Sequence, residues 1–144
     1  MVGTVEYKEE GWVINACGEK RMSSRLETIN EVLNDLRGAS PDIEACAVVS
    51  VDGLPIASVL PPNVDEAKVA AMAAAIQGVA DRVSKELNVG VLRQVYIEGE
   101  NGGVLVMNAS PDAALVVGVR KGARLGLILY EVRRAAERLA EVFA

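Results

Sequence analysis

The chain has no histidine, one phenylalanine and one tryptophan in 144 residues. Without histidine, Ser-His and Cys-His nucleophilic schemes are excluded. The two cysteines, Cys17 and Cys46, form no CxxC pair, which argues against a zinc site. Aromatics make up only 3% of a chain that is 51% apolar, so the core must be built from Val, Leu, Ile and Ala. There is no Gly-Lys-Ser or Gly-Lys-Thr, hence no Walker A loop. Positive charge is scarce, with a net charge of −5. A general nucleic-acid binder would show a basic field, and docking to anionic lipid would need one too. No run reaches the roughly 18 apolar residues that span a bilayer. The first twenty residues carry Glu6, Lys8, Glu9 and Glu10 and no apolar core of a signal peptide. Together these absences predict one reduced, cytoplasmic domain with a single core, no metal and no cofactor.

What is present is clear punctuation. Leu26, Ile29, Leu33 and Leu36 recur at helical spacing. Ser23 or Ser24 caps that helix, Glu27 completes a capping box with Ser24, and Gly38 ends it. Strands follow at 43–51 and 54–60, joined at Asp52-Gly53, a strong tight-hairpin signal. Pro61-Pro62-Asn63 breaks the sheet. A long helix spans 64–88, with Gly90 after it. Three strands, 91–98, 104–108 and 114–120, are separated by the turns at 99–103 and Ser110-Pro111-Asp112. A last helix runs over 124–143 with Leu125, Ile128, Leu129, Val132, Ala136, Leu139 and Val142 on one stripe. The order is α-β-β-α-β-β-β-α. Residues 1–22 stand outside it as an N-terminal extension, either a small hairpin of 4–7 and 12–16 around Glu10-Gly11 or a tail. The domain proper is 23–144.

The long helix carries two contrasting faces. Val69, Met72, Ile76, Val79, Val83 and Leu87 form one apolar stripe, which is expected to face the sheet. Ala70, Ala71, Ala73, Ala74, Ala75 and Gly78 fill much of the remaining circumference. Gly78 costs about 1 kcal/mol relative to Ala. Small side chains let a second helix come close, so this face is expected to meet another chain; the bland alternative is that the alanines are exposed helix formers. Along the strand over 91–98, Val91, Val95 and Ile97 alternate with Leu92 and Tyr96, so both faces carry apolar groups. An unprotected apolar edge invites pairing, and pairing with a second copy gives a continuous sheet across a two-fold axis. Arg93 and Gln94 leave a solvent-facing edge equally open.

Candidates for chemistry are few. Asp42, Glu44, Asp65 and Glu66 read as a strand entry and a helix first turn, where acidic groups favour the helix dipole. Arg120, Lys121 and Arg124 cluster at the start of the last helix, where free N–H groups favour anions. That cluster is a solvated basic turn or a site for an acidic partner surface. No residue is assigned a catalytic role.

Four stretches carry a family resemblance: AVVSVDGLPIAS, VDEAKVAAMAAAIQGVADRV, VYIEGENGGVLVMNA and ALVVGVRKGARLG. They resemble the roadblock/LC7 family, which includes MglB-type proteins and dynein light chains. The resemblance covers most of the chain. It implies an α+β, profilin-like fold with a five-stranded antiparallel sheet of order 2-1-5-4-3. The middle helix would lie on one face and the terminal helices on the other. It also implies dimers and association with small Ras-like GTPases, and it favours pairing of the edge strand. The expected homodimer interface is then Ala70, Ala71, Ala74, Gly78, Val91, Arg93, Val95 and Ile97. By position on the middle helix, Gln77, Asp81, Arg82 and Lys85 are the expected GTPase contacts. The functional expectation is a non-catalytic, dimeric module that binds and regulates a small GTPase. The alternatives are a structural adaptor subunit, as dynein light chains are, and a small-ligand sensor domain.

Overall fold

A computed structural model describes residues 24–144 in full, and the backbone of three short strands before them. Those strands are β1 (Val5–Tyr7), β2 (Trp12–Ile14) and β3 (Lys20–Met22). They form an antiparallel sheet of their own, with Val5 opposite Ile14 and Val13 opposite Arg21. The expected β1–β2 turn at Glu10-Gly11, the Ser23 cap and Cys17 lie outside the described residues.

The main domain follows as α1 (Ser24–Ala39), β4 (Ile43–Ser50), β5 (Pro55–Val59), α2 (Glu66–Glu86), β6 (Gln94–Gly99), β7 (Gly102–Ser110), β8 (Ala113–Arg120) and α3 (Leu125–Phe143). The five strands from β4 onward pair antiparallel in the order β5-β4-β8-β7-β6, which is 2-1-5-4-3 within the domain.

Local chemistry sets the ends. At the β4–β5 hairpin, the Gly53 N–H donates to the Ser50 carbonyl at 3.0 Å and Ser50 N–H to Leu54 at 2.8 Å. Gly53 has φ +87°. This is a three-residue loop, a type I turn closed by a left-handed glycine, rather than a two-residue one. Helix α2 starts at Asp65, whose Oδ1 accepts from the N–H groups of Ala67 and Lys68 at 3.0 and 3.2 Å, satisfying two orphan donors. It ends on Asn88, not Gly90. Asn88 has φ +55°; its N–H donates to Lys85 O and that of Val89 to Ser84 O, a Schellman closure. Gly38 does not stop α1, which runs one residue past it to Ala39.

The sheet's two faces are unequal. On one, α1 and α3 cover a thick aliphatic layer that includes Leu33, Leu36, Val48, Leu105, Leu115, Val117, Ile128, Val132 and Leu139. On the other, α2 lies on a layer of Ala47, Val49, Val106, Ala114 and Val116, touching it through Ala70 and Ala73. Small residues on both sides let this helix come close to the sheet.

Candidate interaction surface

The orientation of α2 reverses the expectation from its hydrophobic stripe. Ala70 and Ala73 are buried on the sheet, and Gln77 and Ser84 continue the same buried row. Met72, Val79, Val83 and Leu87 point outward, each more than half exposed; Val89 and Val91, beyond the helix end, are exposed too, Val91 in the wall of a groove beside α3. Val69 alone of the expected stripe packs against the inner layer. The physical reason is volume. Ala47 and Ala114 of the sheet meet Ala70 and Ala73 of the helix, and this close approach leaves no room between them for Met or Leu.

The residues expected at an interface therefore scatter. Ala70 belongs to the core and is removed from that set. Ala74 is half-buried beside the hairpin: a Cβ placed on Gly53 would stand 3.7 Å from the Ala74 Cβ and 3.4 Å from the Ala71 Cα. A side chain there would touch α2 at ordinary contact distance, so it is the left-handed turn that calls for Gly53. Ala71 and Gly78 are exposed, and a side chain at Gly78 would meet nothing within 4 Å. On the edge, Val91 and Arg93 are exposed, Ile97 is 38% exposed, and Val95 is half-buried against the α2 layer. β6 is the last strand of its sheet, so one row of its backbone groups has no partner strand. Residues 91–93, expected as strand, precede it; Asn108 holds them as a donor, to Leu92 O through Nδ2 at 3.0 Å and to Arg93 O through its N–H at 3.3 Å.

Of the positions expected to touch a second protein, Gln77 turns inward and donates from Nε2 to Asn108 Oδ1, which the polar residue type alone did not reveal. Asp81 and Lys85 form an i,i+4 ion pair at 2.9 Å on the surface, and Arg82 is exposed. The basic turn is also altered. Asp42 is buried, its Oδ1 accepts from Arg120 Nε at 2.5 Å, and its Oδ2 accepts from the Arg124 N–H at 3.3 Å. The anion at the start of α3 is thus the chain's own carboxylate, and Arg120 is engaged. Lys121 and Arg124 extend to solvent.

Cys46 is buried and donates from Sγ to Leu33 O at 3.4 Å; burial pushes its thiol up to about 11. Among the described residues, no group of His, Cys, Asp or Glu could hold a metal ion, and no helix is long and apolar enough to cross a membrane. A groove of about 590 Å³ runs between α3 and the entry to β6, with Met107 and Ala136 in its walls and Arg93 and Arg133 at its rim.

Comparison with known proteins places this architecture. The family model described as the Roadblock/LC7 domain matches residues 29–118. Two uncharacterized proteins of Methanocaldococcus jannaschii are 42% and 41% identical over 115 residues, covering 80% of this chain and 99% of each relative. Among solved structures, MglB in a tetrameric arrangement superimposes with a TM-score of 0.78 at 22% identity, covering 85% of this chain and 92% of that one. MglB of Myxococcus xanthus gives 0.77 at 19%, with the same coverage. Profilin IA of Acanthamoeba castellanii gives 0.58 at 14%, covering 77% of this chain and 95% of that one.

Proposed function

This chain belongs to the roadblock/LC7 family, and from that premise we propose that it works as a homodimeric, non-catalytic module that binds and regulates a small Ras-like GTPase. The observation that carries the reading is the outward stripe Met72, Val79, Val83 and Leu87, each more than half exposed. Four aliphatic side chains along one helix are a costly thing to leave in water. Covering each gains on the order of 1 kcal/mol at about 25 cal/mol per Å², and contiguous apolar patches of this kind mark interaction sites. A second copy fits the surface because β6 offers an unpaired edge next to it, so the same two-fold axis would join sheet to sheet and helix to helix.

The GTPase assignment rests on the resemblance to MglB-type members and on the charged flank of α2. Asp81, Arg82 and Lys85 stand beside the apolar stripe, within reach of a partner that spans two copies. Gln77 is left out, because its amide is held by Asn108. Arg82 is not assigned a transition-state role, since such a residue must reach the γ-phosphate.

The test has two arms. Sedimentation at micromolar concentration should give a dimer. Titration against the small GTPases of the same cell, loaded with GDP or a non-hydrolysable GTP analogue, should give binding that depends on the nucleotide. A monomer, or a dimer that ignores every GTPase in both states, defeats the proposal; the latter result would favour the structural-adaptor role.

A further inference from the structure

Helix α2 is held to the sheet by two different kinds of contact. Through Val69, Ala70 and Ala73 its first half packs on the apolar layer, and among the described residues the helix adds no side chain to that layer after Ala73. The inward positions that follow are polar. Gln77 and Ser84 are both buried. Gln77 donates from Nε2 to Asn108 Oδ1, and Ser84 donates from Oγ to the Gly90 carbonyl at 2.5 Å. Asn108 in turn donates to the carbonyls of Leu92 and Arg93. These bonds either stay within 77–93 or join that stretch to one residue of β7. Gly78 stands where the two kinds of contact meet. A side chain there would meet nothing within 4 Å, so the helix stability lost to this glycine is not offset by closer packing within the chain.

We propose that residues 77–93 open and close as one unit, separately from the rest of the domain, with Asn108 as the latch. Segments that open locally have few buried apolar contacts and hydrogen bonds near solvent. This stretch has both. Val79, Val83, Leu87, Val89 and Val91 are each more than half exposed. Asn108 is itself exposed, so its bonds exchange for bonds to water at small net loss. Apolar packing holds the chain on either side, at Val69–Ala73 and at Val95, so both ends of the stretch stay seated when it opens. The unit carries three of the four residues of the outward stripe and the charged positions Asp81, Arg82 and Lys85. Opening loosens that surface, and a protein bound there holds it shut. This consequence rests on the proposed interaction surface; the opening itself does not.

The test is native-state hydrogen exchange of the full chain, read residue by residue by NMR at low denaturant. Amides of 80–89 should exchange at least about tenfold faster than those of 70–76 and of the central strands, with one common dependence on denaturant. Ser84→Ala and Asn108→Ala, distant in sequence, should each speed that same set about threefold or more and leave α1, α3 and 70–76 unchanged. Gly78→Ala should slow the set, and no other, about fivefold. It adds a methyl group to open space, so it decides the matter even if Asn108→Ala disturbs the fold. Exchange of 80–89 at the rate of the central strands, variants that shift all amides equally, or variants that speed only their own neighbours would each overturn the proposal. Raising the protein concentration should slow 80–89 alone, as a second copy closes the surface. If it does not, the link to the interaction surface falls while the opening stands.

Discussion

Asp42 and Arg120 close the far corner of the sheet twice. The Arg120 N–H donates to the Asp42 carbonyl at 2.9 Å, and the Asp42 carboxylate receives the Arg120 side chain at 2.5 Å. The second carboxylate oxygen accepts the backbone N–H of Arg124, just before α3. One buried acid thus links the entry of β4, the exit of β8 and the start of a helix. The Ser40 hydroxyl oriented toward the Asp42 N–H, at 3.1 Å, holds that acid in its turn.

Asp42→Ala should cost about 2 kcal/mol, because it leaves a helix-start donor and a half-exposed guanidinium without their acceptor. Arg120→Ala should cost about 2 kcal/mol or more, since it leaves the Asp42 carboxylate, only 11% exposed, without its cation. Urea unfolding of both variants and of the double variant measures the coupling. Equal stability of Asp42→Ala and wild type would show that water replaces the carboxylate without loss.

Three glutamate substitutions along α2 separate its faces. In the proposed dimer, Val79→Glu should keep the circular dichroism of wild type but raise the dissociation constant more than about a hundredfold, because a carboxylate would be buried unpaired in the proposed contact. Ala70→Glu should fail to fold stably, since Ala70 is fully buried on the sheet. Ala74→Glu should lower stability by about 1–3 kcal/mol by prising α2 from the Gly53 turn. A dissociated but stable Ala70→Glu would mean that the helix is turned the other way.

Two adjacent glycines should respond differently to alanine. A Cβ on Gly102 would stand 2.6 Å from the Val119 carbonyl oxygen, and that backbone cannot yield without breaking the β7–β8 pairing. A Cβ on Gly103 would run into the Tyr96 ring, which is 39% exposed and can swing aside. We expect Gly102→Ala to cost more than about 2 kcal/mol and Gly103→Ala about 1 kcal/mol. Thermal denaturation ranks the two, and the reverse ranking would contradict this packing.

Cys46 predicts a loss of stability in alkali. Its folded-state thiol titrates near 11 against an ordinary 9.0, because burial disfavours the thiolate. The contribution is fully present below pH 9 and is lost as pH rises through 11, since the unfolded chain gives up this proton first. Two pK units correspond to roughly 3 kcal/mol. Cys46→Ala should flatten the alkaline limb of the stability profile. Alkylation at neutral pH, mapped by mass spectrometry, should leave the Cys46 peptide unmodified until denaturant is added.

Element order was legible because the signals that set it are local, whereas the strand order followed only from the family resemblance. Asp52-Gly53, Pro61-Pro62, the Asp65 cap and Ser110-Pro111-Asp112 each act within a few residues. The face of α2 was not legible from hydropathy, because both of its sides are apolar and only the sheet's shape decides between them. A usable signal did exist: Ala70, Ala73, Gln77 and Ser84 lie on one side of the helix and are small or hydrogen-bonding, and the polar ones find partners, Ser84 in the Gly90 carbonyl of the following loop. Asn108 is the partner of Gln77. The partnership of Asp42 with Arg120 spans 78 positions, and no spacing rule reaches so far. The side chain of Arg120 is turned to the chain's own carboxylate.

Helix α2 distinguishes its sides by bulk, where most surface helices distinguish them by polarity. Tolerance to change is then governed by different rules on the two sides. Inner positions are limited by volume, and any added methylene acts as a shim that lifts the helix off the strands. Outer positions accept any shape that stays greasy. Exchanging Ala73 with Val79 would leave composition, helix propensity and mean hydropathy nearly untouched, yet it would injure both sides at once. Sequence drift in this helix should therefore conserve size at one set of positions and oiliness at the other, and a score blind to that division would misjudge both.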